Sequence, residues 1–176
     1  MDLSHLEQLA KEAGFTHIAP MRADTIELKP EVREMCTQCH QYDKRWSCPP
    51  GCGTLDENRA KIAGFSRGIL VQTVGELEDE LDGEAMIETE HAHKDNFRRL
   101  HEMLVKEYPG MLALGAGCCT ICKDCAYPDA PCRFPEKMVS SMEAFGMVVM
   151  EVCKANDLPY YYGANTIAYT SCFLLE

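Results

Sequence analysis

The sequence predicts an α/β fold, with one mixed β-sheet flanked by helices and two cysteine-rich metal-binding loops. Three observations predict it. Segments with helical periodicity alternate with short apolar runs, capping patterns mark helix starts, and no low-complexity linker divides the chain. The 176 residues are enough to bury one sizeable core. We therefore expect residues 1–176 to form a single cysteine-rich metal-binding domain.

Four helices are predicted from apolar residues that recur every three or four positions. They are expected over residues 4–13, 55–63 and 84–108, and in the segment that follows Ser140. Three of them begin with the pattern S/T-x-x-E, whose two side chains cap free backbone N–H groups reciprocally. These patterns are Ser4…Glu7, Thr54…Glu57 and Ser140…Glu143. The last helix carries one apolar face made of Met142, Phe145, Val149 and Val152.

Four short apolar runs are predicted as strands. They cover residues 16–21, 68–74, 111–115 and 167–175. Each run is separated from the next by at least one predicted helix. This alternation favours a sheet that is covered by helices.

The composition limits the environment and the partners of the chain. No apolar run approaches the roughly 20 residues that span a membrane. The start of the chain lacks the basic and apolar regions of a secretory signal, so we expect a cytoplasmic protein. Eleven cysteines in that reducing compartment favour metal binding over disulfides. The net charge of −11 disfavours nucleic acid, whose phosphates require a basic surface.

Four cysteines spaced C-x2-C-x8-C-x3-C form the first cysteine group: Cys36, Cys39, Cys48 and Cys52. Soft metals prefer thiolates, and four thiolates satisfy either zinc or an iron–sulfur cluster. We expect Gly51 and Gly53 to permit close approach of the backbone around Cys52. Trp46 and Tyr42 are expected to shield this metal centre from water. Cys52 has the least usual spacing, and the alternatives for its place are Cys153, Cys172, His40 or a ligand from outside the chain.

Four more cysteines, spaced C-x2-C-x2-C-x6-C, form the second cysteine group: Cys119, Cys122, Cys125 and Cys132. The opening C-x2-C-x2-C is that of bacterial ferredoxins, in which three thiolates hold three corners of one 4Fe–4S cluster. Zinc rarely uses this spacing, because adjacent C-x2-C steps share a sulfur and crowd a tetrahedron. Cys118 is an alternative to Cys119, but only Cys119 makes a C-x2-C step with Cys122. Two cations, Arg133 and Lys137, either donate to the cluster sulfurs or pair with Glu136 and Glu143.

The two segments together resemble a family of predicted metal-binding proteins, a domain of unknown function found in anaerobic bacteria and archaea. The likeness rests on C-x2-C…Y…W-S-C-P-P within residues 36–50. It rests also on G-A-G-x-C-x-x-C-x-x-C…C-R-x-P-E-K…S-M-E-A-x-G within residues 115–146. The resemblance covers nearly the whole chain. Carried over residue by residue, it implies seven metal ligands: Cys36, Cys39, Cys48, Cys119, Cys122, Cys125 and Cys132.

The two cysteine groups predict an iron–sulfur protein that binds two 4Fe–4S clusters and transfers electrons in anaerobic metabolism. One alternative is a zinc-stabilised binding module, in which the metal serves folding alone. Another is an iron–sulfur enzyme that uses an open cluster site to act on a small substrate or to reduce a corrinoid. The sequence does not distinguish a pure carrier from an enzyme.

Residues 76–90 hold eight acidic side chains and no Lys or Arg, and we call them the acidic segment. One interpretation is a docking patch for a basic redox partner protein. The other is a solvated loop and helix N-terminus, where carboxylates are favoured by the helix dipole.

Overall fold

The computed structural model describes the whole chain from Met1 to Glu176, and its four strands form one sheet. The strands are β1 (His17–Arg22), β2 (Arg67–Glu76), β3 (Leu112–Leu114) and β4 (Thr166–Leu174). Each lies close to a run predicted from the sequence, and their order across the sheet is β1-β2-β4-β3. The predicted α/β class is confirmed.

The direction of the strands differs from the mixed sheet that the sequence predicts. All three ladders are antiparallel, and the only parallel pairing is an isolated bridge between Gly115 and Ser141. Arg22 at the end of β1 pairs with Arg67 at the start of β2, so the long connection between them leaves and returns at one end of the sheet. Apolar periodicity predicts that a strand exists, but it does not predict the end at which the chain re-enters the sheet.

Helices cover both faces of the sheet. The first face packs against α1 (Leu3–Ala13) and α4 (Gly83–Glu107). The second face packs against α3 (Leu55–Ile62), α5 (Met142–Phe145) and α6 (Val149–Ala155). The two cores are separate because side chains of a strand alternate between the faces of a sheet.

The alternation is clear in the central strands. Ile69, Val71 and Phe173 are fully buried under α1 and α4, whereas their neighbours Leu70 and Cys172 are fully buried on the opposite face. At roughly 25 cal/mol per Å² of apolar surface, burial on both faces makes these two strands the main source of hydrophobic stabilisation in the sheet.

One helix, α2 (Pro30–Cys36), has no counterpart in the sequence prediction. It begins with a proline at its first turn, where the missing N–H has no cost, and packs against α5. None of its residues is buried. It therefore lacks the apolar periodicity by which the other helices are predicted.

The three predicted capping patterns have different outcomes. Thr54 and Glu57 form the predicted capping box of α3, with the Thr54 N–H 2.7 Å from Glu57 Oε2 and the Glu57 N–H 3.2 Å from Thr54 Oγ1. The caps at Ser4 and Ser140 are wrong. Asp2 caps α1, and Ser141 caps α5 by accepting the Ala144 N–H at 3.0 Å. In both cases a second capping residue lies one or two positions away, and tertiary packing decides which one is used.

The single helix predicted after Ser140 is two helices in the structure, α5 and α6. Gly146 ends α5 with a left-handed φ of +100°, a conformation that glycine adopts without strain. A β-carbon on Gly146 would also lie 2.7 Å from Leu55 Cδ2. Buried residues recur at three and four positions through both helices, at Met142, Phe145, Val149 and Val152, so periodicity alone does not show the break.

Burial isolates one histidine from solvent. His93 on α4 is 0 % exposed, with Nδ1 3.0 Å from Thr73 Oγ1 and Nε2 2.7 Å from Ser171 Oγ. Burial first, and then the nearby charge of Lys94, lowers the pKa of His93 from 6.5 to about 3. The imidazole is therefore neutral in the folded protein at neutral pH.

We expect His93 to make the protein less stable in mild acid. Between about pH 6.5 and 3 the unfolded chain protonates this histidine and the folded chain does not, so the free energy of unfolding falls as the pH falls. The loss from this one group between pH 7 and pH 5 should be about 2 kcal/mol. Urea unfolding at both pH values would measure it. Glutamine can form hydrogen bonds but does not titrate. The fall in the free energy of unfolding between pH 7 and pH 5 should therefore be about 2 kcal/mol smaller in His93→Gln than in the wild type, and an equal fall in both proteins would contradict the prediction.

The acidic segment forms the end of β2, a loop and the first turns of α4. Asp82 caps this helix, accepting the N–H groups of Glu78 and Ala85 at 3.0 Å each. These two hydrogen bonds lower the pKa of the Asp82 carboxyl. Part of the acidity therefore serves helix capping, and docking of a partner stays a prediction. None of the helices, α4 included, has the length and apolarity needed to cross a membrane.

Candidate metal centre

The two cysteine groups lie in the two long irregular connections of the fold. The first occupies the loop between α2 and α3, where Cys36 is the last residue of α2. The second occupies the loop that runs from the end of β3 to the start of α5, residues 115–141. All eleven cysteines are free thiols. The sheet and its helices thus present two irregular segments, each with four grouped thiols.

Two local turns fold the first cysteine group back on itself. The Cys39 N–H donates to Cys36 O at 3.0 Å, and the Cys52 N–H donates to Cys48 O at 3.1 Å. Cys48 and Cys52 are buried, Cys36 is half-buried and Cys39 is exposed. Burial raises the pKa of the Cys36 and Cys52 thiols and brings that of Cys48 to about 11. A bound cation would offset this burial cost, because it favours the thiolate.

The thiols of this group are also close enough to repel one another when ionised. Cys39 raises the pKa of Cys36, Cys36 raises that of Cys52, and Cys52 and Cys39 both raise that of Cys48. Cys52 thus lies near Cys36 and Cys48, and its role as the fourth ligand stays a prediction. Two of its proposed replacements, Cys153 and Cys172, are instead buried in the core beneath α6.

Three further residues have predicted roles at the metal centres, and these roles stay predictions. His40 is exposed and makes no hydrogen bond, so nothing in its surroundings holds it toward the first group. Arg133 donates to the Asp124 carbonyl oxygen at 2.8 Å rather than to an acidic side chain. Lys137 forms no ion pair, and its side chain lines a surface cleft on the far side of the loop.

Two buried side-chain nitrogens in the protein have no hydrogen-bond partner, Arg33 Nη1 and Asn58 Nδ2. Both belong to residues beside the first group. Arg33 Nη2 donates to the Gly53 carbonyl at 2.9 Å, and its charge lowers the pKa of Cys36 and Cys52 against the larger effect of burial. Buried donors are normally satisfied. The unsatisfied donor of Arg33, close to Cys36 and Cys52, fits an anionic thiolate–metal centre that would accept its hydrogen bond.

The second cysteine group surrounds one small cavity. All four of its cysteines line this cavity, together with the apolar side chains of Ile121, Phe134 and Met138. Burial raises the pKa of Cys125, but the backbone N–H groups of Tyr127, Trp46 and Ala126 outweigh it, so the pKa lies below its usual value. Such N–H···S contacts stabilise thiolates and are typical of iron–sulfur ligands. The donor set and its surroundings therefore fit a sulfur-bound metal.

Cys118 and Cys119 point to different places. Cys119 lines the cavity with the rest of the second group, as the C-x2-C spacing predicts. Cys118 is absent from that cavity and lies near Cys48 of the first group, whose pKa it raises. No group of three or more Cys, His, Asp or Glu side chains already has the geometry that would hold a metal ion.

Side chains of residues 43–47 join the two loops. Arg45 Nη1 donates to the Cys119 carbonyl at 3.1 Å, and Ser47 Oγ accepts the Cys119 N–H at 3.2 Å. The Tyr127 hydroxyl donates to Asp43 Oδ1 at 2.9 Å. The two cysteine groups, far apart in sequence, are thus neighbours in space.

Trp46 lies at the cavity of the second cysteine group, although the sequence suggests that it shields the first group. Its indole Nε1 donates to the Ala130 carbonyl at 3.0 Å, its ring meets Tyr127 edge-on at 4.9 Å, and it lines the second cavity. The reason is that residues 45–47 cross onto the second loop. Trp46 is close to Cys48 in sequence, which suggests the first group. No local sequence pattern shows that residues 45–47 contact the second loop.

Gly51 is expected to be essential for the joined loops. A β-carbon there would lie 2.7 Å from the Arg45 carbonyl oxygen and 3.0 Å from Trp46 Cα, and backbone atoms cannot move away cheaply. Gly51→Ala should therefore lower the free energy of unfolding by about 1–3 kcal/mol and reduce the metal bound at both centres. Urea unfolding and metal analysis would measure the two effects. Gly110→Ala is the matched control, because no atom lies within 4 Å of its added β-carbon; similar losses in both variants would contradict the prediction.

The chain matches a family model over residues 19–175, described as predicted metal-binding protein (DUF2284). Comparisons with curated proteins and with solved structures find no match. The matched residues include both cysteine groups and the segments that join them, which supports metal binding as the property of this region. The resemblance inferred from the cysteine motifs is therefore confirmed, and the chain belongs to this family of predicted metal-binding proteins.

Proposed function

We propose that the protein is an electron-transfer protein that holds two 4Fe–4S clusters, one at each cysteine group. The observation that carries the proposal is the second cavity, which four cysteines with ferredoxin-like spacing line together. The N–H groups around Cys125 support a thiolate ligand there. When bound, each 4Fe–4S cluster would supply a one-electron redox couple.

The side chains around the two groups have separate tasks in this proposal. At the second centre, Trp46, Ile121 and Phe134 exclude water from the thiols. At the first centre, Arg33 and Asn58 offer buried N–H donors to the negative charge of the thiolates. Hydrogen bonds and burial of this kind set the reduction potential of an iron–sulfur centre. Unequal surroundings should therefore give the two centres unequal potentials.

The bonds between the loops favour electron transfer over two independent structural sites. Arg45 and Ser47 attach the loop of the first group to Cys119 of the second. A metal that only stabilises a loop does not need a second loop beside it. Two redox centres on attached loops, in contrast, are close neighbours and can exchange electrons. The reduced thiols that both centres require are maintained in the cytoplasm, where we propose that the protein functions.

A basic redox partner would dock through the acidic segment. The last residue of that segment, Glu90, is close to the second loop: a β-carbon on Gly117 would lie 3.3 Å from its Oε1. The segment also exposes Leu81 and Ile87, 91 % and 55 % accessible, among its carboxylates. Charge steers such encounters, and apolar contacts stabilise them. Raising the ionic strength should then slow electron transfer to a basic acceptor protein.

Anaerobic purification with counting of iron, acid-labile sulfide and zinc, followed by EPR of the dithionite-reduced protein, tests the proposal. We expect about eight iron and eight sulfide per chain, with two interacting S = ½ centres. About two zinc with no sulfide and no signal would contradict it and would identify a zinc-stabilised binding module instead. Full iron that reduces only on addition of a substrate would favour the enzyme interpretation.

A further inference from the structure

A cleft of about 500 Å³ opens on the protein surface between α4 and the second cysteine loop. Its volume lies within the range of about 300–1,000 Å³ that is typical of small-molecule sites. One wall consists of α4 side chains and the other of residues 115–121 with Glu136, Lys137 and Val139. Of its lining residues, only Cys119 and Ile121 have a role in the proposed electron transfer.

The cleft is lined by both apolar and charged side chains. Phe97, Val105, Ile121 and Val139 provide apolar surface. Three cations, Lys94, Arg98 and Lys137, face the same space with two carboxylates, Glu102 and Glu136. Glu90 and Asp95 pair with two of these cations, so the cleft has no excess of positive charge and Lys137 is the cation left for a ligand. One free cation suits a monoanion better than a polyphosphate.

The cations differ in how far they are already paired. Lys94 binds Glu90 at 2.5 Å, and Arg98 binds Asp95, three residues earlier on the same helix. Lys137 has no ion-pair or hydrogen-bond partner for its ammonium group, so its charge is available to a ligand. A free cation beside an apolar surface is the usual arrangement for orienting an amphipathic anion.

The backbone of the second loop adds further donors. The N–H groups of Ala116, Gly117 and Cys118 donate no hydrogen bond within the chain, whereas the next one, that of Cys119, is bound to Ser47. All three residues line the cleft, and Gly117 has a left-handed φ of +69°. Consecutive unpaired N–H groups in such a turn commonly bind anions.

We propose that this cleft binds a small organic monoanion, such as a carboxylate with an apolar body. Its charged end would meet Lys137 and the free N–H groups of the loop, and its body would pack on Phe97 and Val139. Cys119 lines both this cleft and the inner cavity of the second group, so the ligand would lie next to the second metal centre. The binding site does not depend on which metal the cysteines hold.

Calorimetric titration of the metal-loaded protein with benzoate, and with its neutral counterpart benzamide, tests the site. We expect benzoate to bind at least about tenfold more tightly than benzamide, the size of effect that a charged hydrogen bond gives. Lys137→Glu and Arg98→Glu should each weaken benzoate binding, Lys137→Glu by at least about tenfold. Lys154→Glu is the matched control, because Lys154 is exposed on α6 and does not line the cleft.

Three results would overturn the proposal: no heat of binding for benzoate, equal affinity for benzamide, or equal weakening by Lys137→Glu and Lys154→Glu. The last would mean that overall charge and not this cleft controls the affinity. Inorganic phosphate is titrated as a third ligand. If phosphate binds as tightly as benzoate, the site does not require a ligand with an apolar body, and that part of the proposal is overturned. Iron and zinc are counted on the same sample. A zinc-loaded protein that binds benzoate would thus refute electron transfer and leave this site standing.

Discussion

Replacing Cys119 with serine should remove about half of the iron from the protein, whereas replacing its neighbour Cys118 should leave the iron content near that of the wild type. Cys119 lines the cavity of the second group with the other three cysteines, and Cys118 does not. A serine hydroxyl is a much poorer ligand for iron than a thiolate at neutral pH. One complete 4Fe–4S centre would then be lost while the first remains. Iron and sulfide analysis with EPR of the reduced variant would measure the loss.

The adjacent pair controls for general damage to the loop, since both variants change one thiol in one loop. Retention of both centres in Cys119→Ser would contradict the assignment of the second group. A loss in Cys118→Ser would have a different meaning. Cys118 lies near Cys48, so this loss would identify it as a ligand of the first centre and would put Cys52 in question. Cys52→Ser would then be expected to retain its iron.

Replacing Phe173 with alanine should lower the free energy of unfolding by about 3–5 kcal/mol. Phe173 is 0 % exposed on the central strand β4, where its ring stacks on Phe97 of α4 with 4.8 Å between centroids. Its removal would lose the apolar burial and leave a cavity between the sheet and α4. Small domains have a total stability of about 5–15 kcal/mol, so this one change should come close to unfolding the protein at 37 °C. Urea unfolding at 25 °C would measure it.

Tyr161→Ala is the matched control for the loss of an aromatic ring. Tyr161 is 73 % exposed and lies outside both cores, so its removal should change stability by less than about 0.5 kcal/mol. A loss of under about 1 kcal/mol in Phe173→Ala would mean that α4 does not hold the sheet as tightly as the packing indicates. Because α4 also lines the cleft, benzoate titration of the same variant would then show whether that wall is loosely held.

Much of the fold follows from patterns that are local along the chain. Periodicity predicts the helix that ends near Tyr108, because its buried residues Phe97, Leu100 and Leu104 recur at three and four positions. It does not predict α2, which buries nothing, or the break at Gly146. The antiparallel direction of the strands is likewise absent from the sequence pattern. It depends on where each connection returns to the sheet.

The sequence by itself determined the family, the two groups of four cysteines and the donor chemistry of each, because ligand spacing is a property of a few consecutive residues. Only the tertiary structure decided that Trp46 lines the cavity of the second cysteine group, that Cys118 lies near Cys48 of the first, and that Arg33 has an unpaired buried N–H. These relations join residues as far apart as Arg45 and Cys119, which are 74 positions apart. Contacts over such separations arise when the two loops pack together, and the packing depends on the whole sheet and its helices rather than on any one segment.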